Sequence, residues 1–320
     1  MMRIAVAGGG GLGYLIAKAL SEAPSALNVV VLSRFARTEY APLEIQVMPV
    51  DYDDMDSLAF ALQGVNLVIS VVGGREQLNL INSAAASNVQ MFVPSEFEGS
   101  LSKRPRNDPL DIGSYAHRAR SLLRKLSQNS QMQYTIFSCG VFMERFHPSG
   151  LGSFNIGHSC DLAEAGSYLL NLNLASAEIV EKDSGGHTVR ICMTSVYDVA
   201  QFVAAAVELG PGNWPREWTL RGDRMSLRDI VGNSSKYLNT PFEIQYRQVR
   251  DLEPWIEHYT QQGATEEAAT YQRLLATVNG RYEFGTASLN EAIRSNPNVE
   301  DVRAVSFRHW LADLYPAQTS

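Results

Sequence analysis

Six short apolar runs, separated by stretches with helical periodicity, constrain the fold of this 320-residue chain more than any other feature. The runs are Ile4–Ala7, Val29–Leu32, Ile45–Val50, Leu67–Val72, Met91–Val93 and Tyr134–Ser138. Three are apolar throughout and the others carry only one or two polar residues, as expected of strands buried on both faces. After the first run, Leu12, Leu15, Ile16, Ala19 and Leu20 follow the i, i+3, i+4, i+7, i+8 spacing of one helix face. After the third, Leu58, Ala61 and Leu62 repeat that spacing, and Gly64 stands where a helix C-cap is expected. Alternating strands and helices of this kind predict an α/β fold with a doubly wound parallel sheet.

The second half is less regular. Gly150, Gly152 and Gly157 interrupt the chain after the sixth run, and Gly185 with Gly186 interrupt it again. Two helix starts are legible: S-L-R-D at 226–229 and S-L-N-E at 288–291. The second matches a capping box, and the first is a close variant with Asp in place of Glu. Residues 251–259 and 264–278 also read as helical. The expected organisation is an α/β unit over 1–150 and a smaller, mostly helical lobe over 151–320, part of it returning to the sheet.

The strongest motif is G-G-G-G-L-G at 8–13, directly after the first strand and opening the first helix. Gly8 suits the tight turn, Gly10 the close approach of backbone to a pyrophosphate, and Gly13 the packing of helix on strand. Gly11 and Leu12 then stand at a helix N-terminus, whose free N–H groups and partial positive charge attract phosphate. About 20 residues further on, an NAD site carries an acid for the ribose hydroxyls. This chain has Ser33 and Arg34 there, with Arg37 as a second cation. A hydroxyl and a guanidinium suit a 2′-phosphate, so the expected cofactor is NADP(H). An ordinary solvated arginine is the alternative for Arg34.

Composition removes several other classes. Twenty-seven Lys and Arg against 34 Asp and Glu leave a net charge of −7, which argues against a broad nucleic-acid surface. The three cysteines, Cys139, Cys160 and Cys192, are too scattered for a disulfide scaffold, and the six histidines show no metal-ligand spacing. The start lacks the apolar stretch of a signal peptide, and no window approaches the ~20 apolar residues of a membrane span. A cytoplasmic protein is expected, monomeric or homodimeric, acting on a small molecule without nucleic acid, membrane or metal.

V-I-S-V-V-G-G at 68–74 followed by V-P-S-E-F at 93–97 resembles the isoflavone-reductase and NmrA-like family of atypical short-chain dehydrogenases. Q-Y-T-I-F at 133–137, S-V-Y-D-V-A at 195–200 and W-T-L-R-G at 218–222 continue the resemblance in family order through both halves. It implies a Rossmann NADP(H) domain, a C-terminal substrate lobe, and a cleft between them. Members reduce aromatic and phenolic secondary metabolites, and some regulatory members bind the nucleotide without turnover. By position, the resemblance implies that Val72 and Gly73 pass under the cofactor and that Phe97 sits near the nicotinamide. It also implies that Cys139 and Phe142 line the nicotinamide end; plain core packing is their alternative.

Reductases of the family carry a lysine on the helix after P-S-E-F. Here that position reads Ala119, four residues after Tyr115, and Lys125 comes too late. At about 100° per residue, Tyr115, Ala119, Leu122 and Leu126 share one stripe, with Arg118 at its border. His117, Arg120 and Arg124 are expected on the opposite face, in water. A helix that already includes residue 115 makes Tyr115 the proton donor and Arg118 a clamp for an oxyanion or carboxylate. A later start brings His117 into the cleft. Purely structural roles for all three are the alternative. Glu96 reads as a buried acid, a salt-bridge partner or a turn acceptor, and His147 and His158 as loop histidines. The resulting expectation is an NADPH-dependent reductase of an activated aromatic or polyketide-like metabolite: an enone, a carbonyl or a quinone methide. Its rivals are a redox-neutral isomerase, cyclase or dehydratase, and a nucleotide sensor without turnover.

Overall fold

A computed structural model describes residues 2–129, 131–157 and 162–316; His158 and Cys160 lie outside the described residues. The first half contains Arg3–Ala7 (β1), Leu12–Ser21 (α1), Asn28–Ser33 (β2), Gln46–Pro49 (β3), Met55–Ala61 (α2), Leu67–Ser70 (β4), Gly74–Ala86 (α3), Met91–Val93 (β5), Tyr115–Gln128 (α4) and Gln133–Tyr134 (β6). Its strands form a parallel sheet in the order β3-β2-β1-β4-β5-β6. The reversal beside β1 makes it doubly wound, as the alternation predicts.

The pleat divides the core in two. Ile4, Val6, Val29, Val31, Leu67 and Ile69 face α1, while Ala5, Ala7, Val30, Leu32, Val68 and Phe92 face α2, α3 and α4. Both sets are buried, which explains why these strands read as unbroken apolar runs. Gly64 is left-handed at φ 69°, yet it lies two residues past the C-cap Leu62 rather than on it.

The expected sixth strand divides at Thr135. The Thr135 N–H bonds Phe92 of β5, whereas the Ile136 N–H bonds Arg216 from the second half. The remaining elements are Ile136–Ser138 (β7), Val141–Phe142 (β8), Leu170–Asn171 (β9), Ser176–Ile179 (β10), Arg190–Thr194 (β11), Val196–Glu208 (α5), Glu217–Thr219 (β12), Asp223–Ser226 (β13), Leu227–Leu238 (α6), Glu243–Tyr246 (β14), Val249–Gln261 (α7), Thr265–Val278 (α8), Ser288–Arg294 (α9) and Phe307–Leu314 (α10). β12 pairs with β7, and Phe202 and Val203 of α5 with Leu289 and Ile293 of α9 join the α1 side of the core. The other elements surround a separate core that includes Phe146, Tyr168, Ile191, Leu274 and Phe307. Helices supply most of that lobe's regular structure, beside two three-stranded sheets, β13-β11-β8 and β14-β10-β9. Among the described residues, no helix is long and apolar enough to cross a membrane.

Of the two expected caps, one forms. Ser226 Oγ accepts the Asp229 N–H at 3.1 Å and bonds its carboxylate at 2.6 Å. Ser288 does not cap α9. It is the first helical residue, after the N-cap Ala287, and its Oγ accepts the Thr219 N–H at 3.2 Å instead. A tertiary partner has taken the oxygen that the local pattern assigned to the helix.

Asp198 of α5 ties the approach to α10 onto the first core, accepting the Val305 N–H at 2.8 Å. Burial raises its carboxyl from 3.8 to about 6. The native state therefore holds the proton more tightly than the unfolded chain. The resulting stabilisation is complete below pH 3.8 and is lost as pH rises through about 6. Asp198→Asn keeps an acceptor and removes the titration. Its thermal midpoint relative to wild type should rise between about pH 4 and about pH 8; a constant difference would contradict this assignment.

Candidate functional site

The C-terminal ends of β1, β2, β4 and β5 meet at one edge of the sheet. There Gly8 adopts φ 110°, a conformation that favours glycine, and an added Cβ would stand 2.6 Å from Val71 Cγ2. A Cβ on Gly13 would overlap the Gly8 carbonyl oxygen, so the first turn of α1 lies directly on β1. Gly10 is different, because only the Arg37 guanidinium, at 3.8 Å, comes within 4 Å of a Cβ there. The N-cap Gly11 provides no side-chain hydrogen bond, and the first turn of α1 has no acid. The result is an open backbone surface at a helix N-terminus, suited to an anion. The segment Leu151–Ile156 lies against it, since a Cβ on Gly11 would strike the Asn155 carbonyl. The glycine-broken segment thus borders the glycine loop. The space along Gly9 to Gly11, Arg37, Tyr197 and Asp198 forms a cavity of about 660 Å³.

Ser33 is buried at the end of β2 and accepts the Arg37 Nε–H at 3.4 Å. Arg37 is half-buried over Gly9 and Gly10, and its Nη1 lies 3.6 Å from Glu39. Arg34 is exposed. Of the two cations expected here, Arg37 is the one that lies against the glycine loop. Val72 is hydrogen-bonded to Ser70 Oγ after β4, and Gly73 is the exposed N-cap of α3.

Beyond β5, charges of alternating sign form a chain that the sequence pattern did not announce. Glu96, 4% exposed, binds Arg120 at 2.6 Å and also pairs with Arg104. Arg104 reaches Glu98 at 3.1 Å, Glu98 reaches Arg281 at 2.8 Å, and Arg281 reaches Asp108 at 2.7 Å. Burial pushes the Glu96 carboxyl above its usual range, against the pull of Arg104 and Arg120. Glu96 is therefore a buried salt-bridge partner, one of its three expected roles. Phe97 beside it stacks on Phe137, with ring centroids 6.1 Å apart.

This chain corrects the expected faces of α4. Arg120 is 8% exposed rather than solvated, because its guanidinium reaches back to Glu96. Ala119 is wholly buried against the sheet with Leu123 and Phe92. The helix does include Tyr115, as its first residue. The Arg118 guanidinium lies 5.3 Å from the Tyr115 ring centroid, while Asp111 caps the helix through the Ala116 and His117 N–H groups. Tyr115, His117 and Arg118 thus share one turn, and Arg120, one turn further on, reaches Glu96.

Cys139 has no exposed surface, and burial drives its thiol upward, so the core-packing alternative describes its side chain. Phe142 is partly exposed beside the same core. His147 accepts the Ser149 N–H at 3.1 Å and packs edge-on to Phe154, as an ordinary loop histidine would.

The model of the NmrA-like family matches residues 2–294. Oxidoreductase BOA1 of Botryotinia fuckeliana is 29% identical over 250 residues, covering 74% of this chain and 76% of that protein. Isoflavone reductase homolog A622 of Nicotiana glauca is 30% identical over 112 residues, covering 34% and 33%. AtPrR2 with NADP+ and (+)pinoresinol superposes with a TM-score of 0.70 over 98% of each chain at 18% identity, a likeness of fold.

The buried arginine has a measurable consequence. Arg120→Met leaves Glu96 with one cation fewer and should cost about 3 kcal/mol, the lower end of the range for a broken buried pair. Replacing both groups, Glu96→Gln with Arg120→Met, should recover part of that loss. Urea unfolding that places Arg120→Met within about 0.5 kcal/mol of wild type, the usual range for surface substitutions, would put this side chain back in solvent.

Proposed function

Because the chain belongs to the NmrA-like family, we propose that it is an NADP(H)-dependent oxidoreductase that passes hydride to an activated aromatic or polyketide-like metabolite. The carrying observation is the uncovered backbone at Gly10, beside the N-terminus of α1, with Arg37 standing over it. A dinucleotide bearing a 2′-phosphate fits these donors. Gly10, Gly11 and Leu12 would hold the pyrophosphate, with Gly8 and Gly13 keeping the turn tight. Ser33, Arg34 and Arg37 would hold the 2′-phosphate, with Arg37 foremost because Ser33 already orients it. Val72, Gly73, Phe97 and Phe142 would border the nicotinamide, with Cys139 as packing beneath. Residues 1–150 would carry the cofactor and 151–320 the substrate lobe, apart from the elements that return to the first core.

A reduced nicotinamide bound there would supply the hydride. Tyr115 would then donate the proton, with Arg118 holding its ring and any oxyanion; His117, on the same turn, is the alternative donor. A quinone methide or enone needs less acid help than a plain ketone, which suits a helix with alanine at the family's lysine position. That alanine equally favours a redox-neutral isomerase, cyclase or dehydratase.

Arg37→Ala should weaken NADPH binding by roughly 1.5–3 kcal/mol, the scale of a hydrogen bond to a charged group, and leave NADH nearly unchanged. Arg34→Ala should do less. Wild-type protein that binds NADH as tightly as NADPH would overturn the 2′-phosphate assignment.

Turnover is tested with NADPH deuterated at the transferable C4 position, offered with enone and quinone-methide acceptors. Hydride transfer predicts loss of the reduced-nicotinamide absorbance and deuterium on a product carbon. Product formed without deuterium or NADPH consumption would establish the redox-neutral reading instead.

A further inference from the structure

Tyr40 lies in the 3₁₀ turn Thr38–Leu43 and is wholly buried. Its hydroxyl donates to the Gly9 carbonyl at 3.1 Å, and its ring meets Tyr14 of α1 edge-on, centroids 5.3 Å apart. Gly9 lies against the end of β2. An added Cβ there would stand 3.0 Å from Ser33 Oγ and 3.3 Å from Arg37 Cγ. Arg37 is the residue from which the Tyr40 turn starts. One short segment therefore touches the glycine loop twice, through the Arg37 side chain from above and the Tyr40 hydroxyl from within.

The chemistry of an anion site gives that second contact a purpose. A phosphate-binding loop must direct N–H groups at the ligand and carbonyl oxygens away, because a carbonyl dipole repels phosphate. The Gly9 carbonyl is drawn toward Tyr40, in the protein interior. Burial also pushes the Tyr40 phenol upward, so it remains a donor throughout the range where enzymes work.

We propose that Tyr40 is a positioning residue for the nucleotide: it locks the glycine loop to the Arg37 segment and so sets the spacing between the pyrophosphate and 2′-phosphate subsites. This rests on reading the loop as an NADP(H) site. A ligand with both phosphate groups spans both subsites and depends on their spacing. A ligand with the pyrophosphate alone occupies one and depends on it far less. Tyr40 thus contributes to the choice of NADPH over NADH without touching either.

Tyr40→Phe keeps the contact with Tyr14 and removes only the hydroxyl. Fluorescence titration should show the NADPH dissociation constant rising about 5–10-fold, the scale of one hydrogen bond, and that of NADH by less than about 2-fold. The preference for NADPH then falls. Equal changes for the two nucleotides, or none, would overturn the proposal, since a general loss of fold quality moves both alike. A second measurement needs no variant. In wild-type protein, 2′-AMP carries the 2′-phosphate and no pyrophosphate. It should slow amide hydrogen exchange at Gly9–Gly13 as well as at Arg37–Tyr40. Protection confined to Ser33–Arg37 would show the two subsites to be uncoupled and sink the idea. Wild-type protein that binds neither NADPH nor 2′-AMP would fail earlier, at the cofactor reading itself, and take the role of Tyr40 with it.

Discussion

The central sheet is covered on both faces, and the location of every polar group in the site follows from that. Ile4 to Ala7 have no exposed surface, and neither do Val30 to Leu32 or Leu67 to Ile69. Backbone groups in such strands are satisfied within the ladder, and their side chains are committed to one core or the other. Water and ligand can reach the strands only at their ends. At the C-terminal ends the chain leaves through Gly8, Ser33, Val71 and Pro94, and α1 and α3, which follow β1 and β4 directly, begin at the same edge without a side-chain cap. Arg37, Tyr40, Glu96 and Arg120 all attach at this edge or just beneath it.

Two arrangements hold that edge, and they differ in kind. At the glycine loop, small size sets the geometry: Gly8 and Gly13 bring α1 onto β1, and Tyr40 draws the Gly9 carbonyl inward. At the other end the loop after β5 is fixed by charge. Arg120, Glu96, Arg104, Glu98, Arg281 and Asp108 alternate in sign and link α4, the loop and the chain just past α8. Buried pairs of this type add little net stability over apolar packing, while breaking one is costly. Such a chain is therefore better understood as setting geometry. It holds Phe97, and the lobe that contributes Arg281, in one relation to the sheet.

The glycine loop, the first five strands and helices α1 and α4 were legible because each depends on residues close in sequence. Pleat and helix periodicity are local properties, and so is the need for glycine at Gly8 and Gly13. The helix-face reading failed at Arg120 for a specific reason. Angle along a helix places Cα and Cβ, whereas a long guanidinium stem can turn from the flank toward a buried carboxylate. Ser288 failed similarly, its oxygen drawn to Thr219 from 69 positions earlier.

The sequence by itself therefore determined the parallel sheet, the strand–turn–helix that opens it, and the absence of an acid at Ser33–Arg34. Only the tertiary structure decided which arginine stands over the glycine loop, and that Tyr40 anchors it. It also returned α5, β12 and α9 to the first core and completed the charge chain with Arg281, 183 positions away from Glu98. The physical reason is range. Backbone preference and side-chain periodicity act over a few residues, but a buried charge or hydroxyl must find its partner wherever the fold brings one close.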